Sequence, residues 1–214
     1  MRSRVGVNFY LFGISHFDPL GRGRLIGALK RLHEVKKEPP IFVAVEYDSG
    51  HFERIKCQRP SFRQALGAKG PRLSVRDLDL YANSLVYEGD AHLEVFPDAR
   101  TVWLDQGRIV HDESMIDGYA DDRLAMYLRI AQNKLAGSSI ERLSKHFLSQ
   151  PDSDIDLERS KRFAKILRSE IDGKEDVWAA VVVGRGHTNS KTQGSMAEIL
   201  AKAGEKFEVI ALCE

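Results

Sequence analysis

Two segments near opposite ends of this chain share one form, a hydrophobic run followed by Gly-x-x-His. The first is Val7-Asn8-Phe9-Tyr10-Leu11-Phe12-Gly13-Ile14-Ser15-His16; the second is Val181-Val182-Val183-Gly184-Arg185-Gly186-His187. The pattern predicts a buried strand that ends in a tight turn and delivers a histidine just past its tip. Open α/β sheets build their sites at such strand ends. Two imidazoles brought together from distant parts of a chain begin either a metal site or an acid/base pair. Two further apolar runs end in an acid, Ile41-Phe42-Val43-Ala44-Val45-Glu46 and Thr101-Val102-Trp103-Leu104-Asp105. If these strands are parallel, His16, Glu46, Asp105 and His187 converge on one sheet edge. Such a set suits a divalent transition metal with an open position for water, whose pKa the ion would lower to roughly 7. Gly13, Gly184 and Gly186 are expected to supply positive φ and close backbone approach.

Other groups stand beside this set. Asp18 and Asp48, two residues beyond His16 and Glu46, are either ligands or caps of the segments that follow. Arg185 and Lys191 are candidates to contact an anionic substrate. Gly184-Arg-Gly-His-Thr-Asn-Ser-Lys191-Thr192 has the look of a phosphate-binding loop, but Ser190 stands where that loop needs glycine and one residue is extra. His33 and His146 fall in helix patterns among charges and are expected to be solvated. His51, His92 and His111 are expected on surface loops, and Trp103 and Trp178 in the core.

The elements that must position these residues can be read from periodicity. Residues 5–12 read as the first strand and Gly21 to Lys37 as an amphipathic helix with Leu25, Ile26, Leu29 and Leu32 on one face. Pro39-Pro40 stops it, and 41–46 completes a βαβ unit. Helices are predicted over 51–67 and 74–87, and a third strand over 101–105. Residues 114–148 are helical in pattern, and 151–154 carry an N-cap signal. A helix is predicted over 156–171, a strand over 177–183, a helix over 196–203 and a last strand over 207–212. The fold class is therefore α/β: a compact, mixed but largely parallel sheet flanked by helices. A helical insertion over roughly 106–150 is expected within a single domain of residues 1–214.

At 214 residues, 43% hydrophobic and 29% charged, the chain can bury one sizeable core. The 32 basic and 31 acidic residues argue against a dedicated nucleic-acid surface. The two cysteines, Cys57 and Cys213, form no C-x-x-C pair, which fits a reducing compartment. No window approaches the roughly 20 apolar residues of a membrane span, so a cytoplasmic location without membrane insertion is expected.

Taken in order, Gly13-Ile-Ser-His16, Val45-Glu46-Tyr47-Asp48, Glu158-Arg159 at the head of a helix, Gly184-Arg-Gly-His187 and the closing helix and strand resemble the TraB/PrgY/Tiki superfamily. That group is related to the ChaN-like and erythromycin-esterase-like proteins. The resemblance implies one site holding His16, Glu46 and His187, with Asp105 as a further ligand and Mn²⁺ or Co²⁺ as the ion, Zn²⁺ also being compatible. It implies a metal-dependent hydrolase, protease-like or esterase-like, acting on a peptide or a small-molecule substrate. Glu46 or Asp48 would serve as general base, and Arg159 would orient a carboxylate or bind a substrate anion. Other branches imply a non-enzymatic peptide- or haem-binding protein that inhibits signalling, or a hydrolase using its histidines without metal. The chain departs from the family at Ser15, where threonine is more usual, at Asp105, where glutamate is common, and in having no membrane segment. Oligomeric state is left open, a homodimer included.

Overall fold

The computed structural model describes residues 8–16, 18–69, 73–106, 121–122, 124–129, 157–174, 176–210 and 212. Among them five strands form one sheet: β1 (Asn8–Ile14), β2 (Val43–Val45), β3 (Thr101–Trp103), β4 (Trp178–Gly184) and β5 (Lys206–Ile210). Their spatial order is β3-β2-β4-β1-β5, and every pairing is parallel. The α/β class holds, with no antiparallel component among the described strands. The order matters for function. The last long strand, β4, inserts between β1 and β2, so three adjacent strands release the segments that carry His16, Glu46 and His187 at the same edge.

Residue type explains the layering. β4 is buried on both faces from Trp178 to Val183, which is what a central parallel strand between two helical layers requires. β1 alternates: Phe9 and Leu11 join one core while Tyr10, Phe12 and Ile14 join the other. The first core is covered by α5 (Leu157–Ile171) through Phe163 and Leu167, and by α7 (Met196–Lys202) through Met196 and Leu200. The second is covered by α1 (Gly21–Lys36) through Leu25 and Leu29, and by one-turn 3-10 helices Tyr87–Gly89 and Ala91–Glu94. A third cluster joins α2 (Ser49–Cys57), α3 (Arg59–Lys69) and α4 (Val75–Asn83) through Phe52, Phe62 and Tyr81, with Tyr127 packed among them.

Several sequence expectations are corrected here. The helix expected over 51–67 is two helices, because Gln58 closes α2 and α3 starts at Arg59, ahead of Pro60. The helix expected over 74–87 starts from a Ser74–Asp77 capping box but ends at Asn83. Val86 then takes φ 48°, ψ 37°, left-handed backbone that a helix cannot continue through. Gly13, Gly184 and Gly186 do not take positive φ; among the described residues the positive-φ glycines are Gly173, Gly194 and Gly204. The 114–148 helical pattern, the 106–150 insertion and the 151–154 cap signal fall almost wholly outside the described residues; 121–122 and 124–129 are helical. His111, His146 and Cys213 also lie outside them. No helix among the described residues is long and apolar enough to cross a membrane.

Candidate active site

Glu46 is the hub of the sheet edge. It follows β2, its N–H donates to Val182 O at 3.1 Å, and it is buried. Its Oε2 accepts from the Gly184 N–H at the end of β4. Both imidazoles turn Nε2 toward it, His16 at 3.8 Å from Oε2 and His187 at 3.5 Å from Oε1. Arg159 completes the ring with its guanidinium 2.9 Å from Oε1. Burial alone would raise the pKa of Glu46, but the contact with His187 and the charges of His16, His187 and Arg159 outweigh it and hold the carboxyl at about 2. Glu46 is thus an ionised carboxylate at any ordinary pH, which buried carboxylates manage only beside cations.

Each histidine is held from behind. His187 lies in the four-residue helix α6 (Arg185–Thr188), and its Nδ1 is 2.7 Å from the Oγ of fully buried Ser160 on α5. His16 Nδ1 lies 2.6 Å from Glu88 Oε1, and Tyr47 OH donates to the same oxygen at 3.0 Å. The two rings differ in access. The His16 side chain is 32% exposed and that of His187 only 8%. Ser160, His187 and Glu46 have the composition of a nucleophilic triad, yet a fully buried Oγ cannot meet a carbonyl, so Ser160 orients His187 rather than attacking.

Asp105 arrives beside this group because the chain after β3 continues along the chain after β2. Leu104 N–H donates to Val45 O at 3.0 Å and Asp105 N–H to Tyr47 O at 3.2 Å. The Asp105 carboxylate, 1% exposed, receives both Arg159 and Arg162. Arg159 therefore bridges Asp105 and Glu46. The two arginines also share an aromatic contact: both guanidinium carbons lie within 6 Å of the Phe163 ring centroid.

Gly184 is glycine for reasons of space. A Cβ there would stand 3.1 Å from Glu46 Oε2, 3.3 Å from His16 Nε2 and 3.8 Å from His187 Cδ2. At Gly13 a Cβ would come within 2.5 Å of Thr188 Oγ1, so both motif glycines let the two strand tips approach each other.

Of the residues expected from sequence, His16, Glu46, Asp105, Arg159 and His187 are brought together. Asp48 is the N-cap of α2, its Oδ1 accepting from Gly50 N–H at 2.9 Å and His51 N–H at 3.2 Å. Asp18 accepts from Leu20 N–H and pairs with Arg24 at 2.6 Å. Lys191 is exposed on the loop after α6, and Arg185 is half-buried within that helix. His51 is not on a surface loop: it is buried in α2 and stacks on Tyr47 at 5.7 Å. His92 is fully buried against Thr101 Oγ1 at 2.9 Å, where burial holds its pKa down to about 4. His33 is half-buried, edge-on to Phe96. Trp178 is in the core as expected, whereas Trp103 is half-buried against Phe52. Glu88, Tyr47 and Ser160 are site residues that pattern reading did not find.

Among the described residues no group of three or more His, Cys, Asp or Glu side chains could hold an ion. Both Glu46 oxygens are engaged, one by a backbone N–H and one by a guanidinium, and Asp105 is occupied by two arginines. As placed, the donor set does not fit a bound divalent cation. No family model, no curated protein and no solved structure matches this chain.

Proposed function

We propose that this chain is a hydrolase of an amide or ester bond, of the type its Gly-x-x-His motifs resemble, with His16 as general base and Glu46 as the charge that supports it. The convergence of His16, His187 and Arg159 on one buried, ionised carboxylate carries the proposal. Such a concentration of titratable groups around a strongly perturbed carboxyl marks a functional site more often than a structural one.

The partly exposed His16 is the imidazole that meets substrate. With its Nδ1–H given to Glu88, Nε2 is the basic nitrogen. It takes a proton from water as the water oxygen bonds to the carbonyl carbon, and the carbonyl electron pair moves onto oxygen. The imidazolium so formed lies between two carboxylates, Glu88 and Glu46. Arg159 supplies positive charge against the oxyanion. Collapse of the tetrahedral intermediate re-forms the carbonyl and expels an alcohol or amine, which recovers the proton from Nε2. His187, buried and oriented by Ser160, holds Glu46 in place. The substrate is a peptide or a small ester, and the two cysteines without a C-x-x-C pair support a reducing, cytoplasmic compartment.

A metal-assisted form of the same reaction is the alternative that the motif resemblance implies. Metal analysis and exhaustive chelation separate the two. Hydrolysis of fluorogenic esters and peptides that survives chelation supports the His16 base; loss on chelation with recovery on Mn²⁺ or Co²⁺ supports the metal form. A ligand retained without turnover identifies a binding protein instead.

A further inference from the structure

We infer that Glu88 is a positioning residue that fixes His16 with its proton on Nδ1 and its basic nitrogen toward the reaction; the inference rests on the hydrolase reading above. Glu88 is fully buried in the one-turn helix Tyr87–Gly89, seventy-two residues from the histidine it holds. Its Oε1 stands 2.6 Å from His16 Nδ1 and accepts from the Tyr47 hydroxyl at 3.0 Å. Its Oε2 is buried with no hydrogen-bond partner among the described residues. A carboxylate placed this way is a poor structural choice. An apolar side chain would fill the same space without burying an unsatisfied acceptor.

The segment around Glu88 is built to hold that one oxygen. Val86 is forced to φ 48° immediately before it, a strained conformation for a β-branched residue and one that tends to accompany function. Arg59 clamps the turn on both sides, donating to Leu85 O at 3.0 and 2.8 Å and pairing with Asp90 at 2.7 Å. Gly89 leaves room for the Phe52 ring. Tyr87 OH donates to Ser15 O at 3.1 Å, so the same turn grips the His16 loop by its backbone as well as by its ring. A residue that merely filled space would need neither contact to the loop.

The ring nitrogens of His16 report this directly. In the full chain labelled with ¹⁵N-histidine, two-bond proton–nitrogen spectra identify which nitrogen of each ring carries the proton, and His16→Gln assigns the signal. The wild type should show a protonated, strongly hydrogen-bonded Nδ1. Glu88→Gln should move that resonance, and should lower kcat on a p-nitrophenyl ester by about tenfold or more with KM within twofold, part of the roughly 10²–10⁴ a general base contributes. Tyr47→Phe should move the resonance less. A bare Nδ1 in the wild type overturns the inference whether or not any variant folds. So does a Glu88→Gln protein with unchanged His16 signals. Absence of hydrolysis in the wild type overturns the hydrolase reading, while the ring spectra still decide the role of Glu88.

Discussion

Gly184→Ala puts one methyl group into the centre of the site while leaving the backbone at ease. Gly184 sits at φ −51°, ψ 140°, which alanine adopts freely. The unfolded chain loses freedom, which favours folding by about 0.4–1 kcal/mol. Against this, the new Cβ stands 3.1 Å from Glu46 Oε2 and 3.3 Å from His16 Nε2, so both must give by a few tenths of an ångström. Glu46 cannot slide without loosening its bonds to the Gly184 N–H and Arg159. Overpacking costs about 1–3 kcal/mol, so net stability should fall by no more than about 2.6 kcal/mol, a Tm change of roughly 10 °C or less. A misplacement of 1 Å costs about 10² in rate, and a few tenths of that distance should cost about 3- to 10-fold in kcat. The assay is p-nitrophenyl ester hydrolysis beside a thermal melt. Gly23→Ala is the control, since Gly23 lies in helix α1 with nothing within 4 Å of its would-be Cβ. That control should gain up to about 1 kcal/mol and keep its rate. A folded Gly184→Ala protein hydrolysing within twofold of wild type would refute the view that Glu46 and His16 react where they stand.

Further predictions concern charge. Glu46 titrates near 2 when folded and near 4.5 when unfolded, so it contributes stability above about pH 4.5 that is lost as pH falls toward 2. The urea stability of wild type relative to Glu46→Gln should therefore shrink over that window, by up to about 3 kcal/mol. His92 works in a separate window: its pKa falls from 6.5 to about 4 on folding, so the unfolded chain binds the extra proton and stability drops as pH falls from 6.5 to 4. His92→Gln should flatten the stability profile there and leave the lower window intact. Asp105→Asn removes the buried carboxylate that two guanidinium groups share, leaving Arg159 its pair with Glu46 alone, and should cost about 2–4 kcal/mol in denaturant unfolding as well as most activity.

Much of the site was legible because it lies at the ends of strands whose apolar runs are unambiguous. The Val181–Val183 run and the Phe9–Phe12 run announce buried strands, and each motif places its histidine a fixed step beyond. Glu46 and Asp105 follow from the same logic. Their partners were less legible, because they depend on how helix α5 docks. Nothing in the spacing of Glu158-Arg159-Ser160 says that Arg159 bridges Glu46 and Asp105, or that Ser160 reaches His187. Glu88 was hidden for a different reason. Leu85, Val86 and Tyr87 continue the apolar stripe of the preceding helix, although that helix ends at Asn83 and the left-handed turn at Val86 keeps it from resuming. The burial of His51 and His92 is likewise tertiary: ring stacking on Tyr47 and a hydrogen bond to Thr101 are set by packing, not by local pattern.

The most direct measurement is the ratio of ester-hydrolysis rates between wild type and His16→Gln, taken with His33→Gln as a control imidazole that packs edge-on to Phe96. If His16 is the base held between Glu88 and Glu46, His16→Gln should lose about 10²-fold or more and His33→Gln should match wild type. Equal rates in all three folded proteins would contradict a reaction at the joined strand tips.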